Sequence, residues 1–142
     1  MHTAIDAGIM RAVVDETTRR VKSDDRLVYF QSGELVQQAW VAEAALAQAA
    51  RGVDGVVAGE VDAQAAALGV AAARSWIAKA AVEVASGRYE LLGASQATQD
   101  SGMDIFWRDL RTHTLHDKRR EKLEILGKTA ISGELSQLGT KM

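Results

Sequence analysis

The sequence predicts an all-α domain of four or five helices. Three observations carry that expectation. There is no proline in 142 residues. Aromatics make up only 5% of the chain against 47% hydrophobic residues. Apolar positions recur at three- and four-residue steps, and no segment shows the two-residue alternation of a strand. Proline punctuates turns and strand edges, so its absence fits a few long helices joined at glycines. The hydrophobic share leans on alanine, which lets helices approach closely. The length suits one domain with one core.

The first helix is expected over residues 3–22. Ile5, Ile9, Ala12 and Val13 share one stripe, and Thr3 with Asp6 reads as a capping signal ahead of it. Arg19, Arg20 and Lys22 fall in the last turn, where cations suit the helix dipole; a solvated face explains them equally well. Residues 23–33 read as a connector whose apolar run Leu27, Val28, Tyr29 and Phe30 packs on the bundle. The second helix covers 34–51, with an inner stripe of Leu35, Gln38 or Ala39, Ala42, Leu46 and Ala49 and with Trp40 beside it. The three glycines within residues 52–59 end it.

The third helix is the longest, from Val57 or Glu60 to Leu92. Leu68, Ala72, Trp76 or Ser75, Lys79 or Ala80, Val84 and Leu91 keep its step. Gly93 begins its stop, and residues 93–102 form a polar loop. Ser101 with Asp104 is a second capping signal, opening a fourth helix over 102–117. A further helical pattern spans 118–135 and carries Leu123, Ile125, Leu126, Ala130 and Ile131. The bundle is thus expected over 1–135 and a frayed tail over 136–142.

The formal charge of -2 provides no basic footprint for nucleic acid. Cysteine is absent, which excludes disulfides and thiolate metal sites. The first residues lack the pattern of a secretory leader. The alanine-rich stretch 63–85 is broken by Gln64, Arg74, Lys79 and Glu83 and reads as too polar to span a membrane. The expectation is a soluble cytoplasmic protein with neither nucleic acid nor membrane as partner.

The chain has 3 histidines, His2, His113 and His116. His113 and His116 sit one helical step apart, so both rings fall on roughly one face. Histidine titrates near neutral pH, which makes such a pair a proton-transfer candidate, with Asp109 placed to orient His113. The plainer reading is two cations closing a helix C-terminus. His113, His116 and Asp117 offer too few ligands and no H-E-x-x-H spacing, so no metal site is expected. The loop after Gly93 lies before a helix start, where backbone N–H groups could hold a phosphate; it matches no phosphate-loop spacing and serves as well as a plain connector. Phe106 and Trp107 interleave with Arg108 and Arg111, the usual pattern of core plus solvated face. These residues by themselves specify no reaction.

The stretch from Arg88 to Asp117, RYELLGASQATQDSGMDIFWRDLRTHTLHD, resembles the C-terminal helical region of the acyl-CoA dehydrogenase superfamily. More narrowly, it is similar to the flavin-dependent monooxygenase branch typified by dibenzothiophene monooxygenase-like enzymes. The run Trp107 to Asp117 carries the likeness, and AIDAGIMRAVVDE is similar to the first helix of the same domain. The resemblance implies an up-down four-helix bundle, here with an extra C-terminal helical segment. It implies a flavin, FMN or FAD, supplied only together with the family's N-terminal and middle domains, which this sequence lacks. Gly93, Ala94, Ser95 and Arg111 become candidate cofactor contacts. His113 and His116, the latter favoured, become candidates to position or protonate a flavin-oxygen adduct. It also implies self-association, as dimer or tetramer, and a flavoenzyme N-terminal half as possible partner. A truncated frame, a split-enzyme part and a non-catalytic helical oligomerisation module derived from the family all fit. Lys118 stands where the family usually has proline, so the fourth helix is free to run into the fifth.

Overall fold

The computed structural model describes residues 1–116 and 118–133. It contains helices α1 (His2–Arg20), α2 (Arg26–Val57), α3 (Ala63–Leu92), α4 (Asp104–His113) and α5 (Arg119–Ser132). Two 3₁₀ turns, Ala94–Ala97 and Gln99–Ser101, bridge α3 and α4. Among the described residues there is no strand, so the all-α expectation holds. The expected tail 136–142 lies outside the described residues.

Cross-helix pairs fix the directions. Asp6 of α1 meets Arg74 of α3, and Arg20 of α1 donates to Gln96 just past the end of α3 (2.8 Å), so α1 and α3 run parallel. A Cβ on Gly52 would touch Ala66, and one on Gly87 would touch Leu35, so α2 runs against α3. Met103 meets Arg88 and Trp107 meets Ser86, so α4 also runs against α3. The result is the up-down-up-down order of a four-helix bundle, with α5 laid on α3.

Asp25 and Asp62 start α2 and α3. Each carboxylate accepts an orphan backbone N–H, from Leu27 (2.7 Å) and from Ala65 (2.9 Å) respectively. Gly93 ends α3 at φ 81 and ψ 167, a conformation essentially confined to glycine. α3 is the central helix. Ala73, Ala80, Ala81 and Ala85 let neighbours close in, while Ile77 and Val84 fill the gaps with Met10, Val13, Leu35 and Leu110. Burying a side chain such as Ile77 or Leu110 stabilises the fold by about 1.5–3 kcal/mol.

The structure corrects several expectations. α1 buries Ala7, Met10, Val13 and Val14; of the expected stripe Val13 is in the core and Ile9 packs against it, while Ile5 and Ala12 are exposed. Thr3 and Asp6 make no cap: α1 starts at His2 without a side-chain cap, because Asp6 is drawn into the core. Residues 26–33 are not a connector but the first turns of α2, nucleated by Asp25. Gly52 and Gly55 lie inside α2; the chain turns beyond it, at Gly59 (φ 74). Of the expected α3 positions, Ala72, Trp76 and Lys79 face outward, and Ser75, Ala80 and Val84 inward. Ser101 does not cap α4 across Asp104; its hydroxyl accepts the Met103 N–H (3.1 Å) within the turn. α4 stops at His113, short of 117 and separate from α5, because Thr114 is buried and Lys118 is extended. By length and composition α3 is long and apolar enough to cross a membrane, contrary to the reading of its polar interruptions. It is the core helix of the bundle, 56% of its most apolar window buried.

Candidate functional site around the histidine pair

His113 is the last residue of α4 and is half-buried. Its Nδ1 bonds Oδ1 of Asp6, and Oδ2 of the same carboxylate accepts from Nη1 of Arg74. Three helices thus converge on one carboxylate. Asp6 is fully inaccessible and Arg74 is 3% exposed. On its other side, Nε2 of His113 lies 3.0 Å from Nδ1 of His2. The His116 ring stands 6.0 Å from that of His113, nearly edge-on, and is exposed. Asp109, the partner expected from the sequence, is exposed; the carboxylate comes instead from α1.

Asp6 and Arg74 were legible only in part. A carboxylate on the same stripe as Met10, Val13 and Val14, and an arginine amid alanines, are each charges on an apolar face. A second buried arginine, Arg88, locks α3 to α4. Its Nη2 donates to the Met103 carbonyl and to the Tyr89 hydroxyl (2.6 Å), and the guanidinium stacks on the Tyr89 ring at 4.5 Å.

An open cleft of about 440 Å³ lies between α3 and the α4–α5 corner, lined by Arg111, Thr114 and Leu115 around the pair in sequence but by neither histidine. Lys79, Arg111, Lys118, Arg119 and Arg120 line it against the carboxylate of Glu83. Lys79 pairs with Glu83 (2.6 Å), Lys118 with Glu121 (2.9 Å), and Arg119 donates to the Ser75 carbonyl (2.9 Å). Arg111 and Arg120 have no ion-pair partner among the described residues. The cleft therefore favours an anionic occupant.

Gly93, Ala94 and Ser95 are exposed at the far end of α3. Arg74 and Gly93 are separated by about 28 Å at the standard rise along that helix. The structure therefore brings His113 and His116 together, sets Arg111 in the neighbouring cleft lining, and leaves the Gly-Ala-Ser segment at the opposite end. The loop 93–102 does precede a helix start, that of α4 at Asp104, but Gly93, Ala94 and Ser95 stand at its far end, with Ala94 and Ser95 inside the first 3₁₀ turn.

No family model matches the chain. Among curated proteins it is 37% identical over 65 residues to a dibenzothiophene monooxygenase of Rhodococcus erythropolis, covering 46% of this chain and 16% of that one. It is 29% identical over 134 residues to the dibenzothiophene monooxygenase of Mycolicibacterium goodii, covering 89% of this chain and 29% of that one. The dibenzothiophene monooxygenase TdsC of Paenibacillus sp. A11-2, solved with FMN and indole, superposes with a TM-score of 0.86 at 27% identity, over 95% of this chain and 38% of TdsC. The chain is homologous to dibenzothiophene monooxygenases. An acyl-CoA dehydrogenase from Slackia heliotrinireducens shares the fold alone, with a TM-score of 0.78 at 20% identity over 93% of this chain. The partial coverage fits a C-terminal domain of such larger proteins. The chain spans less than a third of the length of these curated dibenzothiophene monooxygenases.

Proposed function

We propose that this chain serves as the C-terminal helical part of an acyl-CoA dehydrogenase-like flavin-dependent monooxygenase, with His113 and His116 as its proton-handling groups. The observation that carries this reading is the histidine pair, with one ring fixed to a sealed ion pair; a cationic cleft opens at the same α4–α5 corner, although neither ring lines it. Homology to flavin-dependent monooxygenases supports the cofactor class. The cleft fits a phosphate-bearing flavin by charge, and Arg111 and Arg120 would hold its anionic end. FMN or FAD would supply the redox chemistry. His113 would hold or deliver a proton at Nε2, and the more exposed His116 would exchange one with solvent. The Gly-Ala-Ser segment is too far from the pair to serve the same flavin within one chain. We assign Gly93, Ala94 and Ser95 to a flavin seated against a second copy, which makes self-association, as dimer or tetramer, part of the reading.

The remaining contacts to flavin and substrate would come from N-terminal and middle domains, in a flavoenzyme N-terminal half. The test is flavin fluorescence quenching, with FMN and with FAD, on this chain alone and mixed with those two domains of a relative. Binding is expected in the mixture, weakened about tenfold or more by Arg111→Gln, the loss of one charge-assisted contact. Binding in the mixture indifferent to this chain would overturn the reading.

A second reading is a non-catalytic oligomerisation module. The outer face of α2 favours it, since Tyr29, Phe30, Trp40 and Val57 are all exposed. A chain that self-associates yet adds no flavin binding even in the mixture with those two domains would decide for it. Either reading places the protein in the cytoplasm.

A further inference from the structure

We propose that Asp6 is a positioning residue that holds His113 as its Nδ1–H tautomer, presenting Nε2 as a proton acceptor that His2 covers until a ligand displaces it. The inference deepens the flavoenzyme reading in assigning that nitrogen a use; the tautomer itself stands on geometry alone.

A carboxylate engaged with a guanidinium offers only acceptors. Oδ2 of Asp6 takes a hydrogen from Arg74, so the ring nitrogen at Oδ1 must be the one that donates. Neutral His113 then carries its lone pair at Nε2. His2 Nδ1 lies 3.0 Å from that lone pair, so there the donor is His2. Every hydrogen along the row His2, His113, Asp6 points toward the carboxylate. The deep end of the row is rigid, because Asp6 and Arg74 are sealed between α1 and α3. The outer end is loose: His2 is exposed and is the first residue of α1, before any complete helical turn. A group that accepts or gives a proton at Nε2 has only to turn the His2 ring aside. Arg74 stands behind the carboxylate, and the His116 ring lies 6.0 Å from that of His113, nearly edge-on.

The test is long-range ¹H–¹⁵N NMR on the full chain with labelled histidine, near neutral pH. Expected for His113 is a protonated Nδ1 and an unprotonated Nε2, the reverse of the form usual for an exposed imidazole. His2→Ala is expected to keep that tautomer and the thermal midpoint, while moving the Nε2 resonance. In Asp6→Asn the amide oxygen turns to Arg74 and the amide N–H faces the ring, so the tautomer should reverse. A wild-type His113 protonated at Nε2 overturns the proposal, and so does a folded Asp6→Asn with an unchanged tautomer. Should Asp6→Asn fail to fold, the wild-type and His2→Ala spectra still decide. None of these readouts uses flavin, so a failure here is distinct from a failure to bind the cofactor.

Discussion

Asp6 of α1 and Arg74 of α3 form an ion pair closed off from solvent across 68 positions of sequence. Pairs of this kind stabilise little relative to well-packed apolar residues, but removing one partner strands a charge in the interior. Arg74→Leu should therefore lower unfolding stability by about 3–5 kcal/mol, read from urea titration. Asp6→Leu with Arg74→Leu should recover a substantial part of that loss. A loss below about 1 kcal/mol for Arg74→Leu would mean that water reaches the carboxylate.

Gly93 is the hinge on which the chain leaves α3. At φ 81 and ψ 167 an added Cβ is strained even though no neighbour stands within 4 Å. Gly93→Ala should cost about 1–3 kcal/mol in thermal unfolding. Gly69 provides the control, since it lies inside α3 with open space around it. Gly69→Ala should stabilise by up to about 1 kcal/mol. Equal effects at the two sites would refute the role given to Gly93.

Arg11 clamps α1 to α2 through Glu43, donating from Nε at 2.6 Å and from Nη2 at 2.9 Å. The hydrogen bond from Arg11 holds the Glu43 carboxyl below the usual range, with charge attraction adding to it and partial burial opposing. Because the folded value is the lower one, the clamp stabilises above the ordinary glutamate value of about 4.3 and is lost as pH falls through the folded value. The pair is partly solvated, so the effect should stay under about 1 kcal/mol. Glu43→Gln should be less stable than the wild type near pH 7, and the gap should close near pH 3. A gap independent of pH would assign the loss to packing.

Trp40 is 71% exposed on α2, beside Val36 and Val41. If this face joins two copies, Trp40→Gln should shift the light-scattering mass toward the monomer. Its thermal midpoint, taken at low concentration, should change little, because the side chain buries almost nothing within one chain. A monomeric wild type would remove self-association from both functional readings.

What the sequence determined by itself is local. The absence of proline, the glycine stop at Gly93 and the three- and four-residue spacing specify helices, and Leu35, Ala39, Ala42 and Ala49 already mark the inner face of α2. The spacing of His113 and His116 also follows from the sequence, because one helical step is a property of the backbone. The missed start of α2 was local too, since Asp25 is an ordinary capping residue outweighed by the polar run around it. Tertiary structure decided what depends on distant partners. The phase of α1 is set by Asp6, which turns inward only because Arg74 waits on another helix. α3 has core neighbours on several sides, so periodicity could not say which of its alanines face inward. The carboxylate behind His113, the imidazole in front of it and the distance to Gly93 come from how rigid helices stack. Side chains far apart in sequence meet only after the apolar faces have chosen their partners, and no local pattern encodes that choice.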